Sequence, residues 1–197
     1  MQSHILGPLE MKDTSYILPP EKFERLISMR RHATEGAFQE QPRRQPAPPK
    51  SFNGGGGLFS TAPDYVRFLQ MILREGRGPH GRILEAESVR RMSVNQIGAV
   101  EVAEMKTTDP GTTANLNVNP GGHDKYTYGF LLNPAAYEGG RSAGSLAWAG
   151  IFNTFYWIDP PRGICAVLLM QFLPFLDPAA VATLRDFEHA VYAAKLS

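Results

Sequence analysis

Gly140-Arg141-Ser142-Ala143-Gly144 sets a serine between two glycines at the spacing of a nucleophile elbow, Gly-x-Ser-x-Gly. A serine hydroxyl near its free pKa is a poor nucleophile and needs a base beside it. An elbow also needs a strand before the serine and a helix after it. Here Asn133-Pro134-Ala135-Ala136-Tyr137-Glu138 precedes the motif and an aromatic run follows it. That context is reversed, so Ser142 reads as a loop residue bordering a site. A nucleophilic Ser142 is the alternative. Trp148-Ala149-Gly150 lies early in the aromatic run. Gly150, with no side chain, leaves room beside the backbone for a ligand.

Other chemistries find less support. There is one cysteine, Cys165, inside an apolar run, so no intrachain disulfide forms and a buried inert thiol is expected. The five histidines are scattered, with no Cys/His spacing for zinc. His123 and Asp124 are adjacent loop residues with no partner in view. No metal and no cofactor are expected. Gly54-Gly55-Gly56-Gly57 lacks the Lys-Ser/Thr of a phosphate loop, so close backbone packing is the favoured reading. Net charge is +1, which gives no bulk field toward nucleic acid or an anionic membrane. Arg30, Arg31, Arg43 and Arg44 read as a solvated loop. The N-terminus has neither a basic nor an apolar leader region. The longest apolar run, residues 164–176, is too short to span a bilayer. A soluble chain is expected, with its compartment unassigned.

The elements that must hold these residues follow from pattern. At 197 residues and 43% apolar content, one domain with a real core is expected. Residues 145–158 and 164–171 are apolar and aromatic runs flanking Asp159-Pro160-Pro161-Arg162-Gly163, which predicts a β-hairpin over about 145–171. Pro160 and Pro161 donate nothing to a ladder, so the bend falls there. Residues 19–29 predict a short helix with Phe23, Leu26 and Ile27 on one face, and residues 36–50, with four prolines, an extended loop. Thr61 and Asp64 have capping-box spacing before a stripe of Tyr65, Phe68, Leu69, Ile72 and Leu73, with Gly76 as the C-terminal cap. Residues 85–94 predict a helix burying Val89 and Met92, residues 98–125 a long loop, and residues 126–132 a strand. Residues 178–196 carry Val181, Leu184, Val191 and Leu196 near helical spacing, a C-terminal helix for the sheet. The class is α+β.

Three stretches together resemble the beta-lactamase-related serine hydrolases, the group of class C beta-lactamases, D-alanyl-D-alanine peptidases and family VIII carboxylesterases. Trp148-Ala149-Gly150 and the hairpin after it are similar to the family's third motif, Lys-Thr-Gly, His-x-Gly or Trp-x-Gly. Leu6-Gly7-Pro8-Leu9-Glu10-Met11-Lys12-Asp13-Thr14-Ser15-Tyr16 resembles Pro-Leu-Gly-Met-x-Asp-Thr-x-Phe, with Glu10 for Gly and Tyr16 for Phe. Gly55-Gly56-Gly57-Leu58-Phe59-Ser60-Thr61-Ala62-Pro63-Asp64, followed by Phe68, keeps every fixed position of Gly-Gly-Gly-Leu-x-Ser-Thr-x-x-Asp-x-x-x-Phe.

The resemblance implies a partial beta-lactamase/transpeptidase-like fold, an antiparallel sheet with flanking helices. It also implies that the Ile151 backbone N–H is one oxyanion donor and that Trp148, Ala149 and Gly150 line the substrate. The family's nucleophile lies in Ser-x-x-Lys and its second motif is Tyr-x-Asn. No serine here has a lysine three residues on, and no tyrosine an asparagine two residues on. Ser51-Phe52-Asn53 and Ser93-Val94-Asn95 match the Ser-x-Asn variant but fall downstream of its place, so they are chance matches. Residues 1–197 are therefore expected to be the C-terminal portion of one domain, inactive alone. Indole has no charge for a substrate carboxylate, which favours neutral esters or amides once an N-terminal half completes the site. A complementing chain or a homo-oligomer is expected to cover a bare sheet edge. The alternatives are a non-catalytic binding module and an independent hydrolase using Ser142.

Overall fold

A computed structural model describes residues 1–32, 37–104, 106–115 and 123–194. After a π-helical turn at Gln2–Leu6 and a 3-10 helix at Pro20–Arg25, the elements in chain order are β1 (Arg30–His32), β2 (Phe38–Glu40), α1 (Ala62–Leu73), β3 (Arg77–Gly78), β4 (Gly81–Arg82), α2 (Ala86–Met92), β5 (Lys125–Tyr126), β6 (Leu131–Asn133), β7 (Ser145–Gly150), β8 (Thr154–Asp159), β9 (Ile164–Leu168), β10 (Phe172–Leu173) and α3 (Pro178–Ala193). The central sheet is antiparallel, in the order β5-β6-β7-β8-β9. The fold is α+β, as the sequence indicates.

Alternation along β8 sorts the core into two layers. Ile158 and Leu146 are fully buried against Leu69 and Ile72 of α1 and against Leu6, Leu9 and Met11, with Tyr156 packed beside them. Trp157 and Ala147 point the other way, onto Leu184, Phe187, Val191 and Tyr192 of α3. Phe155 joins Leu176 and Ala180 on that same face. The sheet is thus filled on both sides, which explains the near-continuous apolar run.

Thr61 caps the start of α1 as expected, whereas the helix ends at Leu73 with Arg74 as its C-terminal cap, two residues before Gly76. Thr61 Oγ1 accepts the Asp64 N–H at 3.4 Å, and α1 begins there. The buried Asp64 carboxylate does not return to the Thr61 N–H; its Oδ1 accepts from Arg67 Nη1 at 3.0 Å. It accepts the Asp13 N–H at 2.7 Å and the Thr14 hydroxyl at 2.9 Å. Two stretches some fifty residues apart are joined by this one side chain. After α1, Gly76 takes φ +85, where a Cβ would collide with the Leu84 carbonyl, so glycine is required. Asp177 caps α3 by accepting the Ala179 N–H at 2.8 Å. Leu196, expected on α3, lies outside the described residues.

Four expectations are corrected. Residues 145–158 are two strands, because Ile151-Phe152-Asn153 turn the chain. Asn153 sits at φ 61, fully buried, and its amide bonds the Phe172 and Pro174 carbonyls and the Leu176 N–H at 2.8–2.9 Å. Asparagine tolerates the left-handed region, and its three tertiary bonds hold the turn against the apolar pattern. Residues 126–132 also break, at a turn where Thr127 Oγ1 accepts the Phe130 N–H at 3.0 Å. Arg30 and Arg31 lie in β1, paired with β2 and β10, rather than in a loop. That strand is too short and polar to show alternation. Within residues 19–29 only one 3-10 segment forms, and Ile27 is exposed. Of the expected loops, Gly36 and residues 105 and 116–122 lie outside the described residues. Among the described residues, no helix is long and apolar enough to cross a membrane.

Strand β9, Ile-Cys-Ala-Val-Leu, ends the central sheet with β8 as its strand neighbour. An apolar edge with free ladder groups is a template for pairing. Sedimentation of the purified chain is therefore expected to show concentration-dependent species heavier than the monomer. A single monomeric boundary at all concentrations would show that this edge is shielded.

The loop before β7 is anchored by a buried ion pair. Arg141 Nε donates to Glu188 Oε1 at 3.0 Å and its Nη2 to Oε2, with exposures of 6% and 5%. The guanidinium lies 5.1 Å from the ring centroids of both Tyr137 and Trp157. Glu188→Ala leaves that cation buried and unpaired, a loss of about 3–5 kcal/mol, to be read from the urea midpoint.

Candidate functional site

Strand β7 presents the candidate acyl-binding residues at its C-terminal end. Strand β6 pairs with β7 at Ser145, Leu146 and Ala147, whereas β8 pairs with it from Leu146 to Gly150. Along Trp148, Ala149 and Gly150, one edge of β7 therefore has no strand partner among the described residues. An open edge beside an aromatic side chain lets a ligand take the place of a strand.

Trp148 is 40% exposed and meets the Tyr126 ring edge-on, with centroids 5.2 Å apart. Its cross-strand neighbour is Tyr156. Burial drives the Tyr156 phenol far above its usual range, and its ring lies 5.1 Å from that of Tyr65. Phe130 packs edge-on to the same ring at 6.4 Å. The indole thus rests on a neutral aromatic floor, and none of these side chains carries a charge at neutral pH. Ala149 packs on the opposite face, in the cluster around Phe155.

Gly150 differs from its expected role. A Cβ there would collide with the Thr154 hydroxyl across the hairpin, so the space is filled from within. Thr154 shares the sheet face of Trp148 by alternation. The next residue, Ile151, opens the turn and is 45% exposed. Its backbone N–H has no protein acceptor among the described residues. A free backbone N–H at the end of an open strand edge can donate to a ligand oxygen.

Ser142 lies at the other end of β7. Its N–H donates to Asp159 Oδ2 at 2.9 Å and its carbonyl accepts from Asn133 Nδ2 at 2.8 Å. A turn precedes it and a strand follows, so elbow geometry is absent. His189 lines the same cleft, but no hydrogen bond joins it to the Ser142 hydroxyl among the described residues. That cleft, about 470 Å³, does not include Trp148, Ala149, Gly150 or Ile151. His123 and Asp124 also have partners. His123 Nδ1 lies 2.9 Å from Glu101 Oε2, and Asp124 is buried, accepting the Tyr137 hydroxyl at 3.2 Å.

Tyr126, Thr154 and Asn153 were not singled out from sequence. Only Asn153, three residues after Gly150, offered a turn signal. The other two act through a cross-strand register that periodicity does not reveal.

The beta-lactamase family profile matches residues 1–191, and the chain belongs to that family. An uncharacterized Mycobacterium tuberculosis protein, MT1414, is 29% identical over 192 residues, covering 92% of this chain and 45% of its own length. Monacolin J acid methylbutanoyltransferase of Aspergillus terreus is 26% identical over 205 residues, covering 98% of this chain and 48% of its own. Unliganded simvastatin synthase (LovD) from Aspergillus terreus superposes with a TM-score of 0.78 at 22% identity, over all of this chain and 50% of that one. That likeness shows the fold. The chain spans about half the length of these relatives.

The two tryptophans report the geometry separately. Trp157 is fully buried and Trp148 is not. In Trp148→Phe, the remaining emission is expected to be blue-shifted and resistant to acrylamide. Efficient quenching in that variant would show that β8 is not packed under α3.

Proposed function

We propose that this chain forms the acyl-site wall of a serine hydrolase or acyltransferase. Its nucleophile and base are supplied by a Ser-x-x-Lys and Tyr-x-Asn segment outside residues 1–197. The carrying observation is the Ile151 N–H, without a protein acceptor among the described residues, at the end of the open β7 edge beside Trp148. In this reading the Ile151 N–H is one oxyanion donor and the nucleophile's own N–H is the other. Trp148, on its floor of Tyr126 and Tyr156, packs against the acyl or alcohol portion of the substrate. Ala149 and Gly150 give the backbone edge along which that substrate lies.

Electrostatics supports neutral substrates. The tyrosines around Trp148 stay protonated well above neutral pH, since burial raises Tyr156, Tyr65 and Tyr126 alike. Lys125, next to Tyr126, is engaged by Glu101 at 3.6 Å and by the Ala99 and Val100 carbonyls. No cation is offered at the position of Trp148 to a substrate carboxylate, and an ester is the better match. The methylbutanoyltransferase relative is an acyl-transfer enzyme by name, in keeping with this reading.

The experiment is complementation. A fluorophosphonate probe is expected to leave the purified chain unlabelled. Mixing the chain with the N-terminal half of a full-length relative carrying both missing motifs is expected to restore turnover of a nitrophenyl ester, faster than that of a beta-lactam. In the complemented assembly, Ile151→Pro removes the N–H and is expected to lower kcat by roughly 10²–10³. Labelling of Ser142 in the lone chain, with turnover, would overturn the proposal in favour of an independent hydrolase. A complex that forms but stays inactive would favour a binding module.

A further inference from the structure

The cleft at the Ser142 end of β7 lies roughly 17 Å of extended strand from Gly150, outside the acyl wall. Its lining includes Tyr137, Gly139, Ser142, Arg162, His189 and Tyr192. A volume of about 470 Å³ falls within the usual range for small-molecule sites.

The hydrogen-bonding capacity this cleft can offer a ligand is set by which groups are already engaged. Asp159 is fully buried and saturated. Its Oδ2 accepts the Ser142 N–H at 2.9 Å and the Tyr192 hydroxyl at 2.8 Å, and its Oδ1 accepts the Arg162 N–H at 3.1 Å. Glu188 is consumed by Arg141, and Asp124 takes the Tyr137 hydroxyl. Glu138 and Asp186, the other carboxylates beside these segments, are exposed and do not line the cleft.

The donors are not consumed. The Arg162 guanidinium lies 5.0 Å over the Tyr192 ring and has no carboxylate at ion-pair distance among the described residues. The Ser142 hydroxyl and the His189 ring likewise have no hydrogen-bond partner among them. Stacking on Tyr192 places the guanidinium at the cleft wall before any ligand arrives, which lowers the ordering cost of binding. A guanidinium presents a planar fork that fits two oxygens of one carboxylate or phosphate. Tyr137 and Tyr192 line the same cleft and add apolar ring surface to it.

We propose that this cleft is a binding site for a small organic anion, with Arg162 gripping the anionic group. Ser142 and His189 donate to it, and the two tyrosines hold an apolar body. Ser142 is then a ligand-binding hydroxyl and not a nucleophile. The site acts independently of the acyl wall, so its test is independent of complementation.

The purified chain is titrated by calorimetry at low ionic strength with acetate, benzoate, inorganic phosphate and phenyl phosphate. Saturable binding of an aromatic anion is expected with Kd around 1 mM, tighter than its non-aromatic counterpart. The preference between benzoate and phenyl phosphate identifies the anionic group. Arg162→Ala is expected to weaken binding by roughly tenfold, with Arg162→Lys intermediate and Ser142→Ala weaker than wild type. Arg162 is exposed, so its variants are expected to melt with the parent, which separates lost binding from lost folding. Absence of saturable binding for all four anions would overturn the proposal. So would affinity unchanged in a folded Arg162→Ala variant.

Discussion

Strand β8 is buried on both faces. Phe155 and Trp157 pack under α3, and Tyr156 and Ile158 pack over α1. Shifting β8 by one residue against β7 would exchange these sets and place an indole against the α1 layer and a β-branched chain against Phe187 and Tyr192. The mismatch in volume makes the register strongly specified. Since β7 is paired to β8 through Gly150, the positions of Trp148 and Ile151 follow from that register rather than from their own contacts.

The two ends of β7 are then held by different physics. At the C-terminal end, a single buried amide, Asn153, satisfies three backbone groups of residues 172–176 and sets the turn that bares the Ile151 N–H. At the N-terminal end, buried charges do the positioning. Arg141 is clamped by Glu188 between two aromatic rings, and Asp159 gathers the Ser142, Arg162 and Tyr192 donors. Carboxylates used for architecture already accept protein donors, and the Arg162 guanidinium is left with no carboxylate at ion-pair distance among the described residues.

Asp64 shows the same economy on the other face. A residue whose spacing signals a helix cap uses its carboxylate to accept from Asp13, Thr14 and Arg67 instead. The N-terminal turn that buries Leu6, Leu9 and Met11 is thereby tied to α1 and, through α1, to the sheet. The two stretches whose wording resembles the family are thus one structural unit.

Local rules in the sequence were enough for the α+β class, α1 and its start at Thr61, α3, and the bend at Pro160 and Pro161. Each of these rests on periodicity, capping or proline geometry within a few residues. The stretch around Trp148 was legible as a family motif because its residue types match a known pattern, and the absent Ser-x-x-Lys was equally legible. Tertiary structure alone decided the rest. It placed the break at Asn153, the Thr154 hydroxyl over Gly150, the Tyr126 support for Trp148, and the separation of Ser142 from Trp148 along one strand. The physical reason is common to them: each depends on a partner about twenty residues away, or directly across the sheet. Such pairings are fixed only when both faces of β8 have been buried.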